Sequence, residues 1–186
     1  MLMVLIPLMF LFIVIDIATR RVPFIRNIYL KLFGFMLRKH EIHPKDMLLT
    51  GASWVLVSAV ITIYFFPQIV AIIGLSVLFI ADIVAAIVGR RIGKKRFLGL
   101  KKKSWAGTIA FVIAAFIVSS IYGFIFDYSV YFYFVAILAS IVSAFLEAIS
   151  NEALHTDDNL TIPVSFGVTM WLGNVYLNYF FNINLF

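Results

Sequence analysis

The chain alternates long apolar runs with short polar connections. Five runs carry at most one charge each and reach the length of a membrane span: Met1–Thr19, Leu48–Phe66, Ile69–Val88, Gly107–Phe126 and Tyr131–Ile149. A sixth run, Ile162–Phe181, is less purely apolar but carries no charge. Because a helix rises about 1.5 Å per residue, roughly 20 apolar residues cross a hydrocarbon core. The pattern predicts an all-α, polytopic membrane protein of about six transmembrane helices, in a single domain over residues 1–186.

The connection between the first two runs, Arg20–Met47, is polar but contains the partly apolar stretch Ile28–Phe33. Within that stretch the basic Lys31 stands among apolar residues. A short interfacial helix or a re-entrant element would suit this composition. We therefore expect one additional short element in this connection, either an interfacial helix or a re-entrant one.

Composition supports the membrane assignment and excludes several other classes. Of the 186 residues, 63% are hydrophobic and 13% are charged, which is more apolar surface than a soluble domain of this size can bury. There are no cysteines, so neither a disulfide framework nor a thiolate metal site is possible. The pI of about 9.7 would suggest nucleic acid in a soluble protein. Here it is explained by basic membrane flanks, and we predict no nucleic-acid partner.

All 15 Lys and Arg residues lie in two connections, within Arg20–Lys45 and Arg90–Lys103. With six spans, both connections face the same side, which the positive-inside rule makes cytoplasmic. The acidic connection Ser150–Thr161 falls on that side too. Met1 opens directly into apolar sequence with neither a basic flank nor a cleavage site, so we expect no signal peptide. The compact size then favours a prokaryotic inner membrane.

Three acids lie inside the spans: Asp16, Asp82 and Glu147. A charge at mid-membrane costs about 2.5–3.5 kcal/mol on insertion scales, so such residues call for a functional reason. In the predicted topology each acid lies near the cytoplasmic end of its helix, where the acids could converge. The alternative is that each one is close enough to the interface to be solvated.

Two cytoplasmic segments could bind phosphate. Small residues recur at every fourth position from Ala81 to Gly93, which gives one helix face that another backbone can approach closely. Glycines and cations beyond that helix could offer N–H groups and positive charge to phosphate oxygens, although basic flanks usually serve topology. Lys103 and Ser104 stand at the start of the fourth span, where Ser104 could cap the helix.

A third segment could bind a metal. Asp157, Asp158 and Asn159 supply two carboxylates and an amide before the last span, and oxygen ligands of this kind suit Mg²⁺ held together with substrate phosphates. The alternative is a solvated turn. His40 and His43 lack a third imidazole or thiolate, so their segment is better explained as interfacial or phosphate-facing sequence.

Four motifs in order resemble the polyprenol kinase family, which comprises dolichol, phytol and farnesol kinases and the CTP-dependent diacylglycerol kinase of fungi. They are Arg38–His43 before a span, Asp82–Gly93 at the end of one, Lys103–Ala110 opening the next, and Glu147 followed by Asp157–Pro163. The family is distantly similar to phosphatidate cytidylyltransferases. The resemblance implies an enzyme that transfers a phosphoryl group from a nucleoside triphosphate, typically CTP, to a lipid alcohol such as diacylglycerol or a polyprenol.

The resemblance also implies a site. Its members would be the catalytic Asp82 and Glu147, the nucleotide-binding Arg38, Lys39, Gly89, Arg90, Gly93, Lys103, Ser104 and Gly107, and the metal ligands Asp82, Asp157, Asp158 and Asn159. Asp82 would be either a metal ligand or the base that orients the hydroxyl. Relatives usually carry an additional N-terminal helical part that has no counterpart before Met1.

Two other functions remain open. A cytidylyltransferase would also need Mg²⁺ and a triphosphate site. A transporter or lipid-binding scaffold would need intramembrane charges along a path across the bilayer, whereas all three acids are predicted at one end.

Overall fold

The computed structural model describes residues 1–34, 49–100, 103–150 and 156–186, and within these ranges the chain forms helices and no named strand. The α-helices are α1 (Leu2–Arg21), α2 (Pro23–Phe33), α3 (Gly51–Phe65), α4 (Gln68–Ile92), α5 (Trp105–Ile125), α6 (Val130–Ile149) and α7 (Asp158–Phe181), with one 3₁₀ turn at Phe97–Gly99. The predicted all-α fold is confirmed. The short helix expected after the first run is α2, which spans 11 residues.

Five of these helices, α1 and α4–α7, are long and apolar enough to cross a membrane. The second predicted span is a shorter apolar helix, since α3 has 15 residues. At about 1.5 Å per residue α3 measures roughly 22 Å, less than a hydrocarbon core of about 30 Å. The architecture is that of a polytopic all-α membrane protein, as the apolar runs predict.

Two helices extend beyond the apolar runs that predicted them. The run ending at Val88 continues as helix to Ile92, and Arg90 and Arg91 stand in its last turn. Positive charges there stabilise the helix, because its carbonyl end carries a partial negative charge. The helix of the last run begins at Asp158 rather than Ile162. Asp157 caps it with a side chain that accepts a hydrogen bond from the backbone of Asn159.

The described residues form two compact units, Met1–Val60 and Ile61–Phe186, so the single domain stays a prediction. In the first unit, the buried Asp16 of α1 meets the start of α3. One carboxylate oxygen accepts hydrogen bonds from Thr50 N (2.7 Å), Thr50 Oγ1 (3.0 Å) and Ser53 Oγ (2.6 Å). These donors compensate the burial of Asp16 and tie α1 to α3.

In the second unit, α4–α7 form a four-helix bundle. α4 packs on α5, α5 on α6, α6 on α7 and α7 on α4, which closes the ring. Its core is filled by aromatic and aliphatic side chains, including Phe111, Phe132, Phe166, Ile73 and Met170. The alternating helix directions bring the C-termini of α4 and α6 to the same end of the bundle as the N-termini of α5 and α7.

Glycines let the helices of this bundle approach closely. A Cβ added at Gly107 of α5 would lie 3.0 Å from the Ala85 carbonyl oxygen and 3.3 Å from Gly89 Cα on α4. A Cβ added at Gly74 would lie 3.3 Å from the carbonyl oxygen of Pro163 in α7. The small face predicted on α4 is therefore a packing surface for α5.

The opposite end of the bundle carries aromatic residues, which favour the membrane–water boundary. They lie at the end of α5, the beginning of α6 and the end of α7: Tyr122, Phe124, Tyr131, Tyr133, Tyr176 and Tyr179. From Tyr131 to Glu147 along α6 there are 16 residues, or about 24 Å. The acidic end of the bundle is thus separated from the aromatic end by most of a hydrocarbon core.

Candidate active site

Three carboxylates meet at one end of the four-helix bundle. Asp82 of α4, Glu147 of α6 and Asp158 of α7 each offer an oxygen, and these oxygens lie within 4.8 Å of one another. Glu147 stands in the last turn of α6 and Asp158 is the first residue of α7, whereas Asp82 lies ten residues before the end of α4. Glu147 and Asp158 are buried and Asp82 is half-buried. We call these three residues the acidic triad.

Lys103 reaches the acidic triad from the segment before α5. Its Nζ pairs with Glu147 Oε1 and lies 3.4 Å from Asp158 Oδ2. Burial alone would lower the pKa of the Lys103 ammonium, but the charges of Glu147 and Asp158 outweigh it, so the pKa is raised above its ordinary value. Lys103 is therefore held as a cation against the acids.

The donor set of the triad fits a divalent metal ion. When its three carboxylates are ionised, the triad carries two more negative charges than the Lys103 ammonium balances, and a divalent cation would balance them. All three ligand atoms are carboxylate oxygens, which are the donors that Mg²⁺ prefers. The triad combines Asp82 and Asp158, both predicted as metal ligands, with Glu147, which was predicted as catalytic.

The two other predicted metal ligands bond to each other. Oδ1 of Asp157 accepts hydrogen bonds from the backbone N–H (3.0 Å) and the side-chain amide (2.7 Å) of Asn159. Both residues are buried, and this pair forms the cap of α7. Their role as metal ligands stays a prediction, while the structure gives them the task of fixing the start of the helix that carries Asp158.

Four of the predicted phosphate-binding residues lie together where α4 and α5 meet. The backbone N–H of Gly107 donates to Ser104 Oγ at 3.2 Å, the cap expected for α5. A Cβ added at Gly89 would lie 3.1 Å from the same oxygen, and one added at Gly93 would overlap it. The three glycines thus make room for Ser104, and their part in phosphate binding stays a prediction.

The remaining predicted residues are three cations. Arg90 is exposed, and its Nε donates to the carbonyl oxygen of Ala86 at 3.1 Å. Arg38 and Lys39 lie outside the described residues.

Sequence reasoning missed one element of the site. The basic segment between α4 and α5 contains Phe97, whose ring is buried although its neighbours are exposed. The one feature of the sequence that could have indicated this burial is an aromatic residue directly after Lys94, Lys95 and Arg96. The sequence likewise did not indicate which residues bond to Asp16. In the structure Thr50 and Ser53 donate hydrogen bonds to it.

Comparison with known proteins identifies lipid kinases as relatives. A phytol kinase of Synechocystis sp. is 37% identical over 109 residues, which cover 57% of this chain and 45% of the relative. The CTP-dependent diacylglycerol kinase 1 of Saccharomyces cerevisiae is 29% identical over 187 residues, covering 85% of this chain and 60% of the relative. Its counterpart in Eremothecium gossypii is 27% identical over 172 residues, with 84% and 53% covered.

The chain is similar to phytol kinases and CTP-dependent diacylglycerol kinases over part of their length. This confirms the resemblance carried by the four motifs. The chain spans roughly half the length of the relatives, from 45% to 60% for the first two. No family model and no solved structure match it. The similarity to cytidylyltransferases stays a prediction.

Proposed function

We propose that this chain is a membrane lipid kinase, which transfers the terminal phosphoryl group of a nucleoside triphosphate, in the first place CTP, to the hydroxyl of a lipid alcohol such as diacylglycerol or a polyprenol. One observation carries the proposal. The acidic triad and Lys103 lie together at one end of a bundle of apolar helices, in a homologue of enzymes named as CTP-dependent diacylglycerol kinases and phytol kinases.

The arrangement suits phosphoryl transfer, which depends on alignment and on the stabilisation of charge rather than on covalent catalysis. A lipid hydroxyl and a water-borne nucleotide can meet where apolar helices end. Asp82, Glu147 and Asp158 would hold the metal ion, which when bound neutralises charge on the phosphate oxygens. Lys103 supplies a cation beside them, and the half-buried Asp82 is the first candidate for orienting the hydroxyl.

A transfer assay with purified protein tests the activity. The protein is incubated in mixed micelles with each of four nucleoside triphosphates and a panel of lipid alcohols, with and without Mg²⁺. We expect phosphorylated lipid with one donor preferred, and a loss of at least about 100-fold in Asp82→Asn and Asp158→Asn, since each change removes a charged ligand. Full activity of both variants would show that the triad is not the site.

The position of the label separates this function from the second enzyme class. Label from γ-labelled CTP would enter the lipid in a kinase reaction. Label from α-labelled CTP would enter phosphatidic acid in a cytidylyltransferase reaction. A transporter or scaffold would incorporate neither label. The position of the triad at one end of the bundle, and not along a path across it, favours an enzyme.

We place the triad on the cytoplasmic side of a prokaryotic inner membrane, because the basic segment between α4 and α5 lies at the end of the bundle that carries the triad. The absence of cysteine allows single-cysteine labelling without background. Lys94→Cys and Ser129→Cys, which lie at opposite ends of the bundle, are treated in intact cells with an impermeant maleimide. We expect Ser129→Cys to react and Lys94→Cys to react only after lysis. The opposite pattern would reverse the orientation.

A further inference from the structure

The segment between α4 and α5 folds back on itself as a short antiparallel hairpin, here called the α4–α5 hairpin (residues 95–105, of which 101 and 102 lie outside the described residues). The N–H of Phe97 donates to the carbonyl oxygen of Lys103 at 3.0 Å. The N–H of Trp105 donates to the carbonyl oxygen of Lys95 at 3.2 Å. Arg96 lies opposite Ser104 in an antiparallel bridge between these bonds. The backbone of Lys103 is therefore fixed by the facing half of the hairpin.

The first arm of the hairpin ends in a tight turn. The N–H of Leu100 donates to the carbonyl oxygen of Phe97 at 2.8 Å, and the two central residues, Leu98 and Gly99, have φ values of 44° and 78°. Two successive positive φ values are the signature of the type I′ turn. Leu98 points into solvent or lipid, since 60% of its surface is exposed.

Phe97 anchors this hairpin to the bundle. Only 4% of its surface is exposed, and its ring centroid lies 4.5 Å from that of Trp105 and 6.2 Å from that of Phe145. Phe145 belongs to α6 and precedes Glu147 by two residues. The buried ring thus fastens the hairpin to the same helix end that supplies one carboxylate of the triad.

We propose that Phe97 is a positioning residue, which holds Lys103 against the acidic triad by docking the α4–α5 hairpin onto α6. The role in catalysis rests on the proposed kinase function. The Phe97 ring carries no charge that could pair with the ammonium or with the acids. Phe97 acts through its backbone bond to Lys103, which alanine would keep, and through its ring contacts, whose loss should loosen the hairpin and release the ammonium from Glu147 and Asp158.

Amine labelling tests the positioning without any assumption about activity. Purified wild-type protein and Phe97→Ala are treated briefly with an acetylating ester, and modification at Lys103 is measured by mass spectrometry relative to the exposed Lys94 and Lys95. Loss of two ring contacts should raise labelling at Lys103 roughly tenfold. Phe97→Leu, which keeps an apolar side chain, should give a smaller rise. Leu98→Ala in the same hairpin is the matched control and should leave the rate unchanged.

Kinetics then test whether Phe97 acts through Lys103. We expect Phe97→Ala to lower kcat with little change in the KM of the lipid alcohol. If Phe97 acts only by holding Lys103, the double variant Phe97→Ala/Lys103→Met should be no less active than Lys103→Met alone. Additive losses would show that Phe97 contributes by another route.

The two hypotheses fail in different ways. Unchanged labelling of Lys103 in both Phe97→Ala and Phe97→Leu overturns the positioning role, whatever the activity. A rise in labelling in a protein that phosphorylates no lipid alcohol overturns the kinase proposal and leaves the positioning of Lys103 established.

Discussion

Replacement of Gly107 by alanine is expected to separate α4 from α5 at the end of the bundle that carries the acidic triad. The added Cβ would lie 3.0 Å from the Ala85 carbonyl oxygen and 3.3 Å from Gly89 Cα. Both are backbone atoms of a packed helix, so neither can rotate away. Relief therefore requires the two helices to move apart by about half an ångström, toward ordinary van der Waals separation.

The cost can be estimated from two opposing terms. Alanine is favoured over glycine in a helix by about 0.8–1.0 kcal/mol. Overpacking of a tight contact costs about 1–3 kcal/mol. We expect Gly107→Ala to be destabilised by about 1 kcal/mol net. Gly89→Ala is the contrast, because its nearest neighbour is the Ser104 hydroxyl at 3.1 Å, a side-chain atom that can rotate. That variant should be close to neutral.

The comparison is made by unfolding the purified proteins in detergent and following near-ultraviolet circular dichroism. Gly107→Ala should unfold at a lower temperature than the wild type, while Gly89→Ala should stay close to it. If Gly107→Ala were as stable as the wild type or more stable, the close approach of α4 and α5 described above would be wrong.

Four further outcomes are expected. Asp16→Ala strands three donors from Thr50 and Ser53 and should destabilise the protein by about 2–4 kcal/mol in the same unfolding assay, whereas Asp16→Asn keeps an acceptor and should cost less. Ser104→Ala removes the cap of α5 and should cost about 1 kcal/mol. Lys103→Met leaves the triad without its cation, so Mg²⁺ should raise the melting temperature of this variant more than that of the wild type, and an equal rise would contradict the charge balance. Leu98→Gly relieves a left-handed residue and should slow hydrogen exchange of the hairpin amides by about tenfold; faster exchange would speak against the turn.

The apolar runs were sufficient to predict the helices, because a membrane demands length and hydrophobicity that few other folds share. Helix ends were less predictable. The hydropathy pattern predicts connections for the polar residues at the end of α4 and the start of α7, whereas caps and the helix dipole extend the helices through them. Consecutive apolar runs predict helices that cross in alternating directions. This alternation explains why Asp82, Glu147 and Asp158 meet at one end of the bundle.

Other parts of the site depend on contacts that no periodicity encodes. Phe97 lies in a short connection whose fold is fixed by a turn with two positive φ values and by a ring docked on a distant helix. The pairing of Asp157 with Asn159 depends on local backbone geometry. The sequence therefore could not show that Asp157 and Asn159 cap the helix while Asp158 joins the other carboxylates.

Two members of the acidic triad lie at helix ends, Glu147 in the last turn of α6 and Asp158 at the start of α7. The third, Asp82, is followed by ten more residues of α4. At about 1.5 Å per residue, α4 rises some 15 Å above the carboxylates. In the proposed kinase, a water-borne nucleotide would therefore approach along this end of α4, while a lipid alcohol would reach the carboxylates from within its own leaflet. Turnover should then follow the mole fraction of the alcohol among its neighbouring lipids, and diluting the whole suspension with buffer should leave that dependence unaltered.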